Sequence, residues 1–304
     1  MKEDINKKKL EEALKKTPFN DYSIEEVNDG VSTNVFKLIN SETYYLKILS
    51  DKNWLSAIVL VNRLLLEQNI NIPEIEYVLE ESSLLDNKGF YIEKELKGKT
   101  VKDDPTLSKE QLDSIIIEAG KDLANINSIM VKGVGWMEGV KEEELYSRGK
   151  DYNDFIVRNV PNMLKHLRHV KILSRKQIRK INRYIIKHQY LLDTKDTSYL
   201  AHGDFCTEHI YHINGKYSGI IDFGDIRGTS KYHDLAHFYL YNREHFKSLV
   251  EGYNSIYKLP NNYMDKVIVE AVIFGVGKLW WVSKNNPKKL INHSALNLFE
   301  EVIY

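Results

Sequence analysis

The chain is expected to fold as a two-lobed α+β protein. An N-terminal lobe with an antiparallel sheet and one helix precedes a larger, mainly helical C-terminal lobe. Three observations predict this. The first third alternates apolar and polar residues with the period of two that marks strands, and turn residues punctuate it. Beyond Gly98, apolar residues recur three and four apart behind Ser-x-x-Gln capping boxes, the mark of helices. Between the helical runs, residues 201–225 read as a loop followed by a hairpin. Its Asn214-Gly215 turn is a two-residue sequence that favours type I′ geometry.

Residues 1–16 are charged and contain no apolar stretch of the kind that makes a signal peptide. Strands are predicted over 22–27 and 35–39, flanking a small polar loop that contains Gly30 and Ser32, and over 43–49 after an Asn40-Ser41-Glu42 turn. A loop of small residues lets backbone N–H groups approach phosphate oxygens, and Lys47 on the third strand stands where a lysine can pair with those phosphates. Residues 54–68 form an apolar helix that ends before Pro73, and 90–96 form a strand running into Lys97-Gly98-Lys99. The boundary near Gly98 divides the chain into a lobe of residues 1–97 and a lobe of residues 98–304. Ser108 and Gln111 cap a helix through Leu112, Ile115, Ile116, Ala119 and Leu123, and Ser174 and Gln177 cap another through Ile178, Ile181 and Ile185. The second carries Arg175, Lys176, Arg179, Lys180, Arg183 and Lys187, read as a solvated face.

Composition sets outer bounds. The 304 residues support one large or two small cores, and zero formal net charge argues against nucleic acid as the main partner. Cys206 is the sole cysteine, so there is no disulfide framework, and a reducing cytoplasmic location is expected. Apolar runs such as 268–277 are too short to span a bilayer, so no membrane partner is expected.

The chemistry concentrates in His202-Gly203-Asp204 and in Ile220-Ile221-Asp222-Phe223-Gly224-Asp225. With Ile213 facing Lys216 across the Asn-Gly turn, His209 is expected opposite Ile220. His209 and Asp222 then share a face as diagonal neighbours, roughly 7–8 Å apart before their side chains converge. Two potential metal ligands beside the loop carboxylate Asp204 are what Mg²⁺-assisted phosphoryl transfer needs. Rival readings fail on geometry. Cys206, His202 and Asp204 are too close in sequence to converge as a nucleophilic triad, and His209 and His212 point to opposite faces of a strand.

These two motifs resemble the signature of the aminoglycoside phosphotransferase family, small-molecule kinases with a protein-kinase-like fold. The resemblance implies that Asp204 is the catalytic aspartate and that His209 and Asp222 fill the two Mg²⁺ slots. It also implies ATP or GTP as phosphoryl donor, bound by the Gly30 and Ser32 loop, by Lys47, and by hinge backbone around Glu93, Lys94, Glu95 and Leu96. Most family members carry Asn at the His209 position. His there is similar to the aminoglycoside 2″-phosphotransferases and the macrolide phosphotransferases.

One departure concerns the N-lobe helix, which in such folds supplies a glutamate to the strand lysine. Here Glu67, near the C-terminal end, is the only acidic residue inside it. Either Glu67 reaches back, or Lys47 is held another way, or nucleotide binding is weakened. Only nine residues separate Gly224 from Asp234, too few for a peptide-binding activation segment, so a small-molecule hydroxyl is the expected acceptor. Asp234 is expected to anchor the catalytic loop.

An aminoglycoside leads among acceptors, with Glu138, Glu142, Glu143, Glu144, Asp151 and Asp154 as candidate carboxylates. Against it, residues 235–304 hold eight Lys and Arg but six Asp and Glu. Trp280 and Trp281, with Tyr253, Tyr257 and Tyr263, suggest a macrolide pocket, although adjacent tryptophans on a helix should leave at least one in the core. A metabolite alcohol, or a catalytically weak relative that binds nucleotide as a sensor, completes the alternatives.

Overall fold

The structure, a computed structural model, describes residues 5–27, 34–49, 51–192, 198–290 and 293–303, without the side chains of 153–155 and 157. Asn6 accepts from the N–H groups of Lys8 and Lys9 and so caps α1 (Lys7–Leu14). This helix is additional to the one expected in the sheet lobe. β1 (Ser23–Val27), β2 (Asn34–Ile39) and β3 (Thr43–Leu49) follow. Asp51 caps α2 (Lys52–Glu67), after which come β4 (Ile75–Ser82) and β5 (Lys88–Lys94). All five strands pair antiparallel in the order β1-β2-β3-β5-β4.

Alternation in β3 decides which side of the sheet faces what. Tyr44, Leu46 and Ile48 join Phe36, Leu38, Phe90 and Ile92 in a core closed by Leu10 and Leu14 of α1. The opposite face presents Tyr45, Lys47 and Leu49 toward α2 and the cleft.

After β6 (Lys99–Thr100), Ser108 opens α3 (Lys109–Ile126) through the expected capping box. β7 (Met130–Val131), β8 (Val134–Lys141) and β9 (Glu144–Gly149) precede α4 (Tyr152–His169) and α5 (Arg175–His188), the latter capped by Ser174 as expected. Next come β10 (Ser198–Ala201), β11 (Ile210–Ile213), β12 (Lys216–Ile220) and β13 (Arg227–Thr229). Four helices close the chain: α6 (His233–Tyr241), α7 (Phe246–Ile256), α8 (Tyr263–Asn285) and α9 (Ser294–Ile303). The short strands build two further sheets, β7-β10-β13-β8-β9 and β12-β11-β6. Among the described residues no helix is long and apolar enough to cross a membrane.

The β11–β12 hairpin departs from its expected register. Ile213 pairs with Lys216 and His212 with Tyr217, but the ladder then shifts, so Tyr211 pairs with Gly219 and Ile210 with Ile220. Ser218 is the extra residue of a bulge, and its hydroxyl donates to the Lys97 carbonyl at 3.2 Å. His209 therefore lies opposite Ile221, whose N–H donates to its carbonyl at 3.0 Å, rather than opposite Ile220.

Candidate active site

The loop between β10 and β11 is fixed from below by one carboxylate. Asp234, fully buried in the first turn of α6, accepts from the N–H of His202 at Oδ2 and of Gly203 at Oδ1, both at 2.9 Å. Asn127 adds a third donor at 2.9 Å. Gly203 has φ +86°, and a Cβ there would lie 2.0 Å from the Asp225 carbonyl oxygen, so the turn admits only glycine. This geometry delivers Asp204 to the floor of a cavity of about 670 Å³.

Two nitrogen-bearing side chains face Asp204 there, neither singled out by the motif. Lys278 of α8 approaches Oδ1 at 3.0 Å, and His237 Nε2 of α6 lies 3.5 Å from the same oxygen. Burial alone would push the carboxyl up, but His237, Lys278 and His209 together hold it well below the usual carboxylate range. Asp204 is thus ionised across the physiological range.

His209 and Asp222 do converge, by a route other than strand register. The Asp204 carbonyl accepts from His209 Nδ1 at 2.8 Å, which leaves Nε2 turned toward Asp222 Oδ2, 3.7 Å away. Asp222 sits just past β12 in the left-handed region at φ +68°, unusual for a residue with a Cβ. Burial opposes charge on His209, but the Cys206 thiol and the Asp222 and Asp204 carboxylates raise it to about 10. An imidazole N and a carboxylate O side by side fit a divalent cation through Asp222, with His209 offering a nitrogen once its proton leaves. Among the described residues no group of three or more His, Cys, Asp or Glu forms a metal site.

Lys47 reaches the same cavity from β3. Its partner is Glu93 of β5, at 2.9 Å, with Asp222 at 3.7 Å. Tyr45 pairs with Glu93 and Lys47 with Tyr91, so Lys47 and Glu93 are diagonal neighbours on one face. Burial would depress the lysine, and Glu93, with Tyr91 and Asp222, reverses this and keeps the ammonium well above its ordinary value. Glu67 does not reach back. It is exposed and lies 4.0 Å from Arg63.

Three of the hinge residues already make contacts within the protein. Glu93 acts through its side chain, on Lys47. The N–H of Lys94 donates to the Glu74 carbonyl and that of Glu95 to the Thr43 carbonyl, so neither is available to a purine. Leu96 follows them, half-buried. Gly30 and Ser32 lie outside the described residues.

The acceptor side also differs from expectation. Glu138, Glu142, Glu143 and Glu144 are exposed and do not line the cavity, and Glu143 and Glu144 are engaged by Arg63 and Lys132. Asp151 does not line it either, and the Asp154 side chain lies outside the described residues. Both Trp280 and Trp281 line the cavity and neither is core, Trp281 being 39% exposed. Tyr253, Tyr257 and Tyr263 take no part in it. Motif reasoning missed Lys278, His237, Arg227 and Glu270. The signal for Lys278 and Glu270 was available, since they are the only charged residues in the otherwise apolar run 267–283.

Residues 23–266 match the model of the phosphotransferase enzyme family. No curated protein matches. Among solved structures, a thermostable mutant of aminoglycoside phosphotransferase APH(4)-Ia in its apo form superposes with a TM-score of 0.71 at 14% identity over 98% of each chain. The gentamicin complex of APH(2″)-IIa gives 0.68 at 18% identity over 100% of each chain. The GDP complex of a point mutant of an aminoglycoside 2′-phosphotransferase-IIIa gives 0.69 at 18% over 96% of each. Identities this low speak to the fold.

Proposed function

The chain belongs to the phosphotransferase enzyme family, and from that premise we propose that it transfers the γ-phosphoryl group of ATP or GTP to a hydroxyl of a small, antibiotic-type molecule. One observation carries the reading: Asp204, Lys47 and the His209–Asp222 pair open into a single cavity. Residues 1–97 act as the nucleotide-binding lobe and 98–304 as the catalytic and acceptor-binding lobe.

Asp204 orients the acceptor hydroxyl and accepts its proton, kept ionised by Lys278. Lys47, fixed by Glu93, positions the donor phosphates. Asp222 and His209 would hold Mg²⁺, which would neutralise charge on those phosphates. The reading of the chain as a catalytically weak sensor drew on the missing helix glutamate and on His209 at a metal slot; Glu93 answers the first, and the second stands.

Two acceptor classes have distinct support. The fold is similar to enzymes solved with hygromycin B and gentamicin, which favours an aminoglycoside. Trp136, Trp280 and Trp281 in the cavity wall favour an apolar acceptor of macrolide type. The test is mass spectrometry of both classes incubated with enzyme, Mg²⁺ and ATP or GTP. One acceptor should gain a phosphoryl group, and Asp204→Asn should cut that gain by roughly a hundredfold or more while nucleotide still binds. Near-normal turnover in Asp204→Asn would refute the assignment.

A further inference from the structure

The acceptor wall of the cavity contains a buried carboxylate that the transfer mechanism does not use. Glu270, on the cavity face of α8, is 1% exposed. The Tyr152 hydroxyl donates to its Oε2, the Ser230 hydroxyl stands near, and its Oε1 meets no hydrogen bond of good geometry among the described residues. His233, at the start of α6, lines the same cavity with its Nε2 equally buried and unpartnered. Its ring lies 5.3 Å from Phe274, one turn along α8 from Glu270. Orphaned buried polar atoms are costly, and two of them facing one cavity point to a ligand that satisfies them.

The charges around the cavity restrict what that ligand is. Each other carboxylate lining it already faces a cation: Asp204 has Lys278, Asp222 has Lys47, Asp225 has Arg227 and Glu208 has Lys102. Glu270 is the one lining carboxylate without a cationic partner among the described residues. Lys278, Lys289 and Arg227 line the same space and repel a polycation. Much of the remaining surface there is aromatic and aliphatic, from Trp136, Ile273, Phe274, Trp280 and Trp281.

We propose that Glu270 recognises a single ammonium group on an otherwise largely apolar acceptor, which makes it the specificity-determining residue of the acceptor site. The proposal rests on the phosphotransfer reading above and names the substrate class of that site. Two turns of α8, roughly 12 Å of helix axis, separate the backbone of Glu270 from that of Lys278, whose side chain meets Asp204. Burial raises the Glu270 carboxyl to about 7, against the opposing Tyr152 and Ser230 hydroxyls, so an arriving ammonium readily draws it into the ionised form.

The experiment compares phosphoryl transfer to 8-amino-1-octanol, 1,8-octanediol and gentamicin in the wild type, Glu270→Gln and Glu270→Asp. The amino alcohol should be preferred. Glu270→Gln should raise its KM roughly tenfold to hundredfold, the worth of one charge-assisted hydrogen bond, and leave kcat and the nucleotide KM nearly unchanged. Glu270→Asp should recover part of the loss. An unaltered nucleotide KM certifies that the variants are folded. Preference for gentamicin, or equal KM values for amino alcohol and diol, would overturn the proposal and leave phosphotransfer standing. Transfer to none of the three, with nucleotide still bound, would remove both.

Discussion

Lys47 shows how one side chain keeps its task when its usual support is missing. An ammonium this buried needs a carboxylate, and Glu93 provides one from the adjacent strand at 2.9 Å. Removing one partner of a buried pair leaves the other charge uncompensated. Glu93→Ala should therefore lower stability by about 3 kcal/mol and weaken nucleotide binding more than tenfold. Glu67→Ala removes only an exposed contact to Arg63 at 4.0 Å, and should change stability by less than about 0.5 kcal/mol. Denaturant unfolding and nucleotide titration of both variants decide the matter, and equal effects would return the role to the helix. The sequence carried the lysine but not its partner. Residues 47 and 93 become neighbours only because β5 pairs with β3 ahead of β4, a choice of partner that strand periodicity leaves open. Asp204 and Asp222 were legible because their motifs are local, whereas Lys278 and Glu270 reach the cavity through the packing of a helix dozens of residues away.

At the scale of elements, the β10–β11 loop and α6 behave as one device. Asp234 collects two loop N–H groups and the Asn127 amide, so the start of α6 sets where Asp204 points. Asp234→Asn keeps the volume but replaces one acceptor oxygen with a donor that faces an N–H. It should cost about 1–3 kcal/mol of stability and lower kcat with little change in nucleotide KM, since the nucleotide end is built on β3 and β5. An Asp234→Asn enzyme with normal kcat would show that the loop holds itself. Capping boxes and the Asn214-Gly215 turn made α3, α5 and the β11–β12 hairpin readable, because each is written in adjacent residues. The bulge at Ser218 was not readable. It answers to the Lys97 carbonyl, far away in sequence. The β8–β9 hairpin was hidden for another reason. Its turn places Glu142 and Glu143 at φ +52° and +64°, where glycine or asparagine would have announced it.

For the whole molecule, the question is whether the sheet lobe and the helical lobe fold as one unit. The five-stranded sheet has two cores. One lies between its outer face and α1, through Leu10, Leu14, Phe36, Leu46 and Phe90. On the other side, α2 buries Leu55, Ile58, Val61 and Leu65 in the same continuous core as Ile115 of α3 and Leu279 of α8. Trp54 of α2 meets Trp136 of β8 at 5.6 Å, and Arg227 stacks on that second indole at 4.1 Å, beside the cavity. The helix is thus more a part of the large core than of its own lobe, and its melting exposes both. Calorimetry should show a single transition. Ile58→Ala, in the shared core, should shift all of it downward by roughly 3–5 °C, the thermal equivalent of about 2–3 kcal/mol in a chain of this size. Leu10→Ala, in the outer core, offers the contrast. If α1 and its face of the sheet can open alone, this variant splits off a small early transition and leaves the main one in place. Should wild type itself melt in two steps, with Ile58→Ala moving only the lower, α2 would belong to the sheet lobe, and the cavity between the lobes would be held by the nucleotide more than by the shared core.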